Sequence, residues 1–219
     1  MRLRKKWWAR PELEETNFVI TDGKEYKGKW REEFKNNNPI YLELGCGRGR
    51  FISQSAVKNL DVNYIGVDLK DEVLVRAKRS VEKEFDENNV SRDNIHVRLI
   101  PMDISFIDEV FEKDEVDRIH LNFSTPWPKV KHNKRRLSHP KFLEKYKKFL
   151  KKGSEIWMKT DNEGLFKDSL EYFKENGFTL EYVTHDLHAS DFKGNIVTEY
   201  EEKFLNMDMK IMFLIAKYN

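Results

Sequence analysis

Apolar and polar positions along this chain repeat with two periods, and each switch between them marks an element. Ile40-Tyr41-Leu42-Glu43-Leu44 is an apolar run rich in strand formers that breaks into glycines at alternate positions, Gly45, Gly47 and Gly49. Beyond Gly49, Phe51, Ile52, Ser55 and Ala56 fall at helical spacing, so the stretch reads strand, tight turn, helix. The unit then recurs. Asn63 to Asp68 is a second strand, and Val73, Leu74, Ala77, Val81 and Phe85 stripe a helix from Asp71 to Glu87. Asn94 to Ile100 is a third strand and Asp117 to Phe123 a fourth. After a turn at Gly153, Glu155 to Lys159 is a fifth. Thr160 and Glu163 form a capping box for a helix with Leu165, Phe166, Leu170 and Phe173 on its apolar face, stopped at Gly177. Phe178 to Val183 and Met209 to Tyr218 give the last two strands, with a polar loop over 186–195. This alternation predicts an α/β fold built on one doubly wound, mostly parallel sheet.

The composition allows such a fold. At 219 residues, with 39% hydrophobic positions, fifteen Phe and five Trp, the chain is long and apolar enough for one core and is not disordered. Charged residues reach 36% yet sum to only +2, so their distribution matters more than their total. From Lys129 to Lys152 there are eleven Lys and Arg against Glu144 alone, which leaves the remainder net acidic. A helix beginning at Ser138-His139-Pro140 is expected to carry the later lysines. A one-sided basic stripe beside a sheet edge is an electrostatic footprint for nucleic acid, although a charge run also serves as a solvated face. The arm from Arg2 to Arg10 sets Arg2, Arg4, Lys5, Lys6 and Arg10 beside Trp7 and Trp8. Those tryptophans either stack on bases or pack on the domain. The expected division is 1–38 as arm and lead-in, then a domain over 39–219.

Cys46 is the only cysteine, which excludes an intrachain disulfide and a cysteine-cluster metal site; a small apolar filler is its expected role. His185 and His188 have no third ligand nearby in sequence, so no metal is expected. No apolar run reaches the length of a membrane span, and no apolar segment follows the basic Met1–Lys6. The expectation is a cytoplasmic protein with no membrane partner, as a monomer or homodimer.

A dinucleotide fingerprint would put its third glycine where Arg50 stands. The pattern here, Glu43-x-Gly45-x-Gly47-x-Gly49, instead resembles motif I of the S-adenosylmethionine-dependent methyltransferases. That resemblance implies that the loop wraps the methionine part and that an acid closing the second strand, Asp68, takes the ribose hydroxyls. Asp103, just past the third strand, stands where such enzymes hold the adenine amino group; it is also placed to cap the next helix. As the third acid in register with Glu43 and Asp68, it is assigned to the cofactor. In Ser124-Thr125-Pro126-Trp127-Pro128-Lys129 two prolines around a Trp force a stiff loop at the carboxyl end of the sheet, where open α/β sheets place their ligands. Asp161 ends the fifth strand at the same edge.

Taken with motif I and Tyr64-Ile65-Gly66-Val67-Asp68, four later segments carry a closer resemblance. They are Asn122 to Lys129, His132-Asn133-Lys134-Arg135-Arg136, Lys159-Thr160-Asp161 and Thr198 to Phe204. Together they resemble the bacterial tRNA (guanine-N7-)-methyltransferases, and the matches run from the N-terminal arm almost to the C-terminus. The resemblance implies a Rossmann-like class I methyltransferase with a single seven-stranded sheet whose last strand is antiparallel. It implies methylation of guanine N7 in the tRNA variable loop, with Glu43, Gly45, Gly47, Asp68 and Asp103 on the cofactor. Lys129, Asp161, Thr198, Glu199, Tyr200 and Glu201 would contact the guanine nucleotide. Lys131, His132, Asn133, Lys134, Arg135 and Arg136 would contact tRNA. One departure stands out. The family's catalytic aspartate before the Pro-Trp pair is Thr125 here, a position expected to serve both catalysis and cofactor. Asp161 or Glu201 is then expected to supply the missing carboxylate. The alternative readings are a tRNA-binding module without catalysis and a small-molecule methyltransferase.

Overall fold

The computed structural model describes residues 6–205, 207 and 209–219, so Arg2, Arg4 and Lys5 of the basic arm lie outside the described residues. The chain divides after Phe111 into two compact units.

The first unit carries three parallel strands, β1 (Ile40–Leu44), β2 (Asn63–Asp68) and β3 (Val97–Pro101), in the order β3-β2-β1. Around them run α1 (Ala9–Glu14), α2 (Trp30–Phe34), α3 (Arg50–Lys58) and α4 (Asp71–Glu87). Strand β3 starts three residues later than its sequence pattern, because Arg92–Asn94 coil into a 3₁₀ turn whose Ser91 side chain accepts from Asp93 N. The stretch ahead of Pro39 packs on the first unit. Ala9, Leu13 and Trp30 are fully buried, and Trp30 Nε1 donates to Val110 O at 3.0 Å. The two tryptophans of the arm part company. Trp8 packs on the core with the Arg79 guanidinium 5.5 Å from its ring, whereas Trp7 is 86% exposed.

The second unit contains β4 (Val116–Asn122), α5 (Pro140–Tyr146), β5 (Leu150–Thr160), α6 (Glu163–Glu175), β6 (Phe178–Thr184), α7 (Glu199–Leu205) and β7 (Met212–Tyr218). Strands β4 and β5 are parallel, and β7 inserts antiparallel between β5 and β6. Three expectations are corrected here. Gly153 does not separate a turn from a strand: it lies inside β5 at φ +83°, where the register with β4 slips, so it is a bulge. The cap of α6 is Asn162, whose Oδ1 accepts from Leu165 N at 2.8 Å; Thr160 ends β5 instead of opening a capping box. Helix α5 is short, so of the later lysines it carries only Lys141 and Lys145. Across the chain the strands follow the order β3-β2-β1-β4-β5-β7-β6, a seven-stranded α/β sheet with β7 antiparallel.

Candidate active site

The loop after β1 separates its glycines by task. All three have positive φ: +82° at Gly45, +57° at Gly47 and +80° at Gly49. A Cβ added at Gly45 would meet nothing within 4 Å, and at Gly47 only Gly45 O at 4.0 Å, so these two keep bare backbone facing open space. At Gly49 an added Cβ would lie 2.7 Å from Ala77 Cα and Cβ, so this glycine lets the start of α3 pack on α4.

Asp68, at the end of β2, is locked to this loop. Its Oδ2 accepts from Gly47 N and its Oδ1 from Lys70 N, each at 3.2 Å. Burial pushes its carboxyl above the ordinary aspartate value, and the backbone donors oppose that rise only in part. Glu43 on β1 is 3% exposed. The Cys46 thiol is raised first by burial and then by the charges of Glu43 and Asp68, so it is an inert filler, as its position suggested. Asp103 is exposed and does cap the next 3₁₀ turn, its Oδ1 accepting from Ser105 N at 2.8 Å. Its second oxygen has no hydrogen-bond partner among the described residues. Bare backbone beside carboxylate acceptors fits a ligand with hydroxyls and positive charge better than a pyrophosphate, which carboxylates would repel.

In the second unit β4 and β5 end side by side, Asn122 opposite Lys159, and Phe123 N donates to Lys159 O at 2.9 Å. The two chains leaving these ends carry Thr125 and Asp161. Phe123 and Trp127 sit at φ +50° and +43°, left-handed conformations that cost a bulky residue about 1–3 kcal/mol each and persist only when neighbours enforce them. Thr125 is exposed and makes no hydrogen bond to a described residue. Asp161 is half-buried and has neither a hydrogen bond nor an ion pair among the described residues. Past Lys129, the 3₁₀ turn Val130–Arg135 displays Lys131 and Lys134, exposed and without partners among the described residues. His132 meets the Trp127 ring edge-on at 5.8 Å, and the Arg135 guanidinium lies 5.0 Å from the ring centroid. Asn133 is half-buried behind them.

Two expected contacts are placed differently. Arg136 is 5% exposed, and its guanidinium is engaged with the carbonyls of Pro126 and Trp127 and with Asp168. It does not face solvent with its neighbours. Glu201 is fully buried and accepts from Lys159 Nζ at 2.9 Å, while His188 Nε2 lies 3.0 Å from its other oxygen. Glu201 is thus enclosed and fully engaged, whereas Asp161 is half-buried with a free carboxylate among the described residues. Thr198 Oγ1 accepts from Glu201 N at 3.0 Å while Glu201 Oε2 accepts from Thr198 N at 3.2 Å, a reciprocal capping box for α7. The helix and its box were missed, though Thr-x-x-Glu is their sequence signature. Lys159 completes the network, donating also to Ile196 O and Asn195 Oδ1. Of that segment Glu199 and Tyr200 face outward; Tyr200 is 59% exposed and its ring stacks on Phe123, with centroids 6.2 Å apart.

Among the described residues no group of His, Cys, Asp and Glu is arranged to hold a metal ion, and no helix is long and apolar enough to cross a membrane.

Comparison with known proteins gives the class first. A solved structure described as an antibiotic-related methyltransferase superposes with a TM-score of 0.64, over 91% of this chain and 96% of that chain; at 16% identity the likeness is one of fold. A family described as "Putative methyltransferase" matches residues 37–214. The chain is 63% identical over 217 residues to the tRNA (guanine-N(7)-)-methyltransferase of Clostridium tetani (strain Massachusetts / E88), covering 99% of each. To the protein of the same name from Clostridium botulinum (strain Okra / Type B1) it is 60% identical with the same coverage. The chain belongs to the bacterial tRNA (guanine-N(7)-)-methyltransferase family.

Proposed function

We propose that this chain transfers a methyl group from S-adenosylmethionine to N7 of a guanine in the variable loop of tRNA, in the cytoplasm. The observation that carries the reading is the pairing of strand ends in the second unit. There an acid without a partner, Asp161, leaves β5 beside the strand whose exit loop presents Thr125 and the unpaired cations Lys129, Lys131 and Lys134.

S-adenosylmethionine, when bound, supplies an electrophilic methyl group on a sulfonium centre. Gly45 and Gly47 would offer it bare backbone, with Glu43, Asp68 and the second oxygen of Asp103 as acceptors. Guanine N7 carries an accessible lone pair and attacks without prior deprotonation, so no general base is needed. The ring would gain positive charge as the N7–methyl bond forms and the methyl–sulfur bond breaks, with the thioether leaving neutral. Asp161 holds a carboxylate toward that charge, while Thr125 and Lys129 orient the nucleotide. Glu199 and Tyr200 border the base, and the buried Thr198 and Glu201 hold them in place through the cap of α7. Lys131, Lys134 and Arg135 attract tRNA phosphates, with His132 and Asn133 supporting the turn that carries them.

The test is transfer of labelled methyl to unmodified bulk tRNA, followed by nucleoside analysis. Appearance of 7-methylguanosine is the expected result. No transfer, with tRNA and cofactor both still bound, would overturn the reading and leave a tRNA-binding module.

A further inference from the structure

We infer that Arg136 is a positioning residue that holds the Pro126–Trp127 turn in its reactive shape, and that it makes no contact with RNA phosphate. The inference rests on the function proposed above. The turn needs such a device. No strand or helix pairing covers residues 125–128, Pro126 and Pro128 have no N–H, and Trp127 is held at φ +43°. Arg136 supplies what the turn lacks. Its Nε donates to Pro126 O at 2.8 Å, its Nη2 reaches Trp127 O at 3.5 Å, and its Nη1 pairs with the Asp168 carboxylate on α6. At 5% exposure it is buried, while Lys131, Lys134 and Arg135 beside it are exposed. The fork therefore tethers the turn to α6 at its carbonyls. His132 and Arg135 hold the Trp127 ring. Thr125 and Lys129 flank the turn, so their aim depends on the clamp.

The chemistry of the fork gives the discriminating variant. A phosphate contact tolerates lysine, which keeps the charge; two carbonyls and a carboxylate served in one plane do not, because lysine presents a single nitrogen. Arg136→Lys is compared with Asp168→Asn, a change at a half-exposed side chain outside the basic stretch that keeps an acceptor oxygen. Each is measured for kcat and KM on tRNA, for tRNA affinity between low and high salt, and for tryptic cleavage after Lys129 and Lys131. The clamp requires both variants to lose about tenfold or more in kcat, with tRNA affinity and its salt slope within about twofold of the parent, and faster cleavage at these two sites beside the turn. Weakened tRNA binding with a shallower salt slope in Arg136→Lys, alongside a silent Asp168→Asn, would overturn it. So would unchanged cleavage in both. If the parent chain transfers no methyl to tRNA, the proposed function fails, and the cleavage arm still decides the clamp.

Discussion

Replacing Gly49 by alanine separates the two jobs that glycines do in the loop after β1. Gly45 and Gly49 have nearly the same backbone, φ +82° and +80°, so alanine pays the same left-handed penalty at each, about 1–2 kcal/mol. Only at Gly49 does the new methyl collide: it falls 2.7 Å from both Ala77 Cα and Cβ, and relieving that overlap requires α3 and α4 to separate. Overpacking of this kind costs about 1–3 kcal/mol. Gly49→Ala is therefore expected to lose about 2–5 kcal/mol, a large share of a typical domain's stability, and Gly45→Ala only the conformational part. Urea unfolding midpoints of the two variants give the difference directly, since the shared backbone term cancels. Affinity for S-adenosylmethionine, measured by calorimetry, should run the other way per unit of stability lost. At Gly45 the methyl enters the open space assigned to the ligand, so binding falls at least about tenfold while the fold survives. Equal midpoints, or a Gly45→Ala less stable than Gly49→Ala, would refute the division of labour between these glycines.

Three further outcomes follow from the site. Asp161→Ala should lower kcat/KM by about a hundredfold, and by more than Thr125→Ala does, because only Asp161 offers charge to the methylated ring; the reverse order would contradict its role. Glu201→Ala strands the Lys159 ammonium in a buried setting and should cost about 3–5 kcal/mol in urea unfolding, whereas a residue serving only the substrate would leave the midpoint in place. For Asp68 the raised pKa fixes opposite signs for stability and binding. Its contribution to folding is complete below the ordinary value of 3.8 and is lost as pH rises through the raised value; cofactor affinity needs the carboxylate and is lost as pH falls through that value. Asp68→Asn should then match or exceed the parent in unfolding midpoint at neutral pH while binding the cofactor at least about tenfold more weakly, and a coupled loss of both would contradict the assignment.

Most of the fold was legible because periodicity is a local signal. Asp71 to Glu87 matches α4 end to end, and β1 and β2 fall where their apolar runs lie. What escaped depends on partners distant in sequence or on competing caps. Gly153 signals a turn equally well when it relieves a bulge. Thr160 and Glu163 satisfy the spacing of a capping box, yet Asn162 takes the cap because β5 runs on through Thr160. The glycine turn after β1 and the acid closing β2 were legible from spacing, whereas their assignment to a cofactor came from the resemblance to motif I. Arg136 and Glu201 were not, because a charged residue in a charged segment gives no local sign that it will be buried. Their burial is set by partners far along the chain, Asp168 for one and Lys159 for the other.

The most direct test of the central claim compares two transcripts of one tRNA, one with ordinary guanine and one with 7-deazaguanine, which replaces N7 by C–H and removes the attacking lone pair. Labelled methyl from S-adenosylmethionine should enter the ordinary transcript and be recovered as 7-methylguanosine, with none in the deaza transcript although both bind with similar affinity. Label in the deaza transcript, or label recovered on any other nucleoside, would contradict transfer to guanine N7.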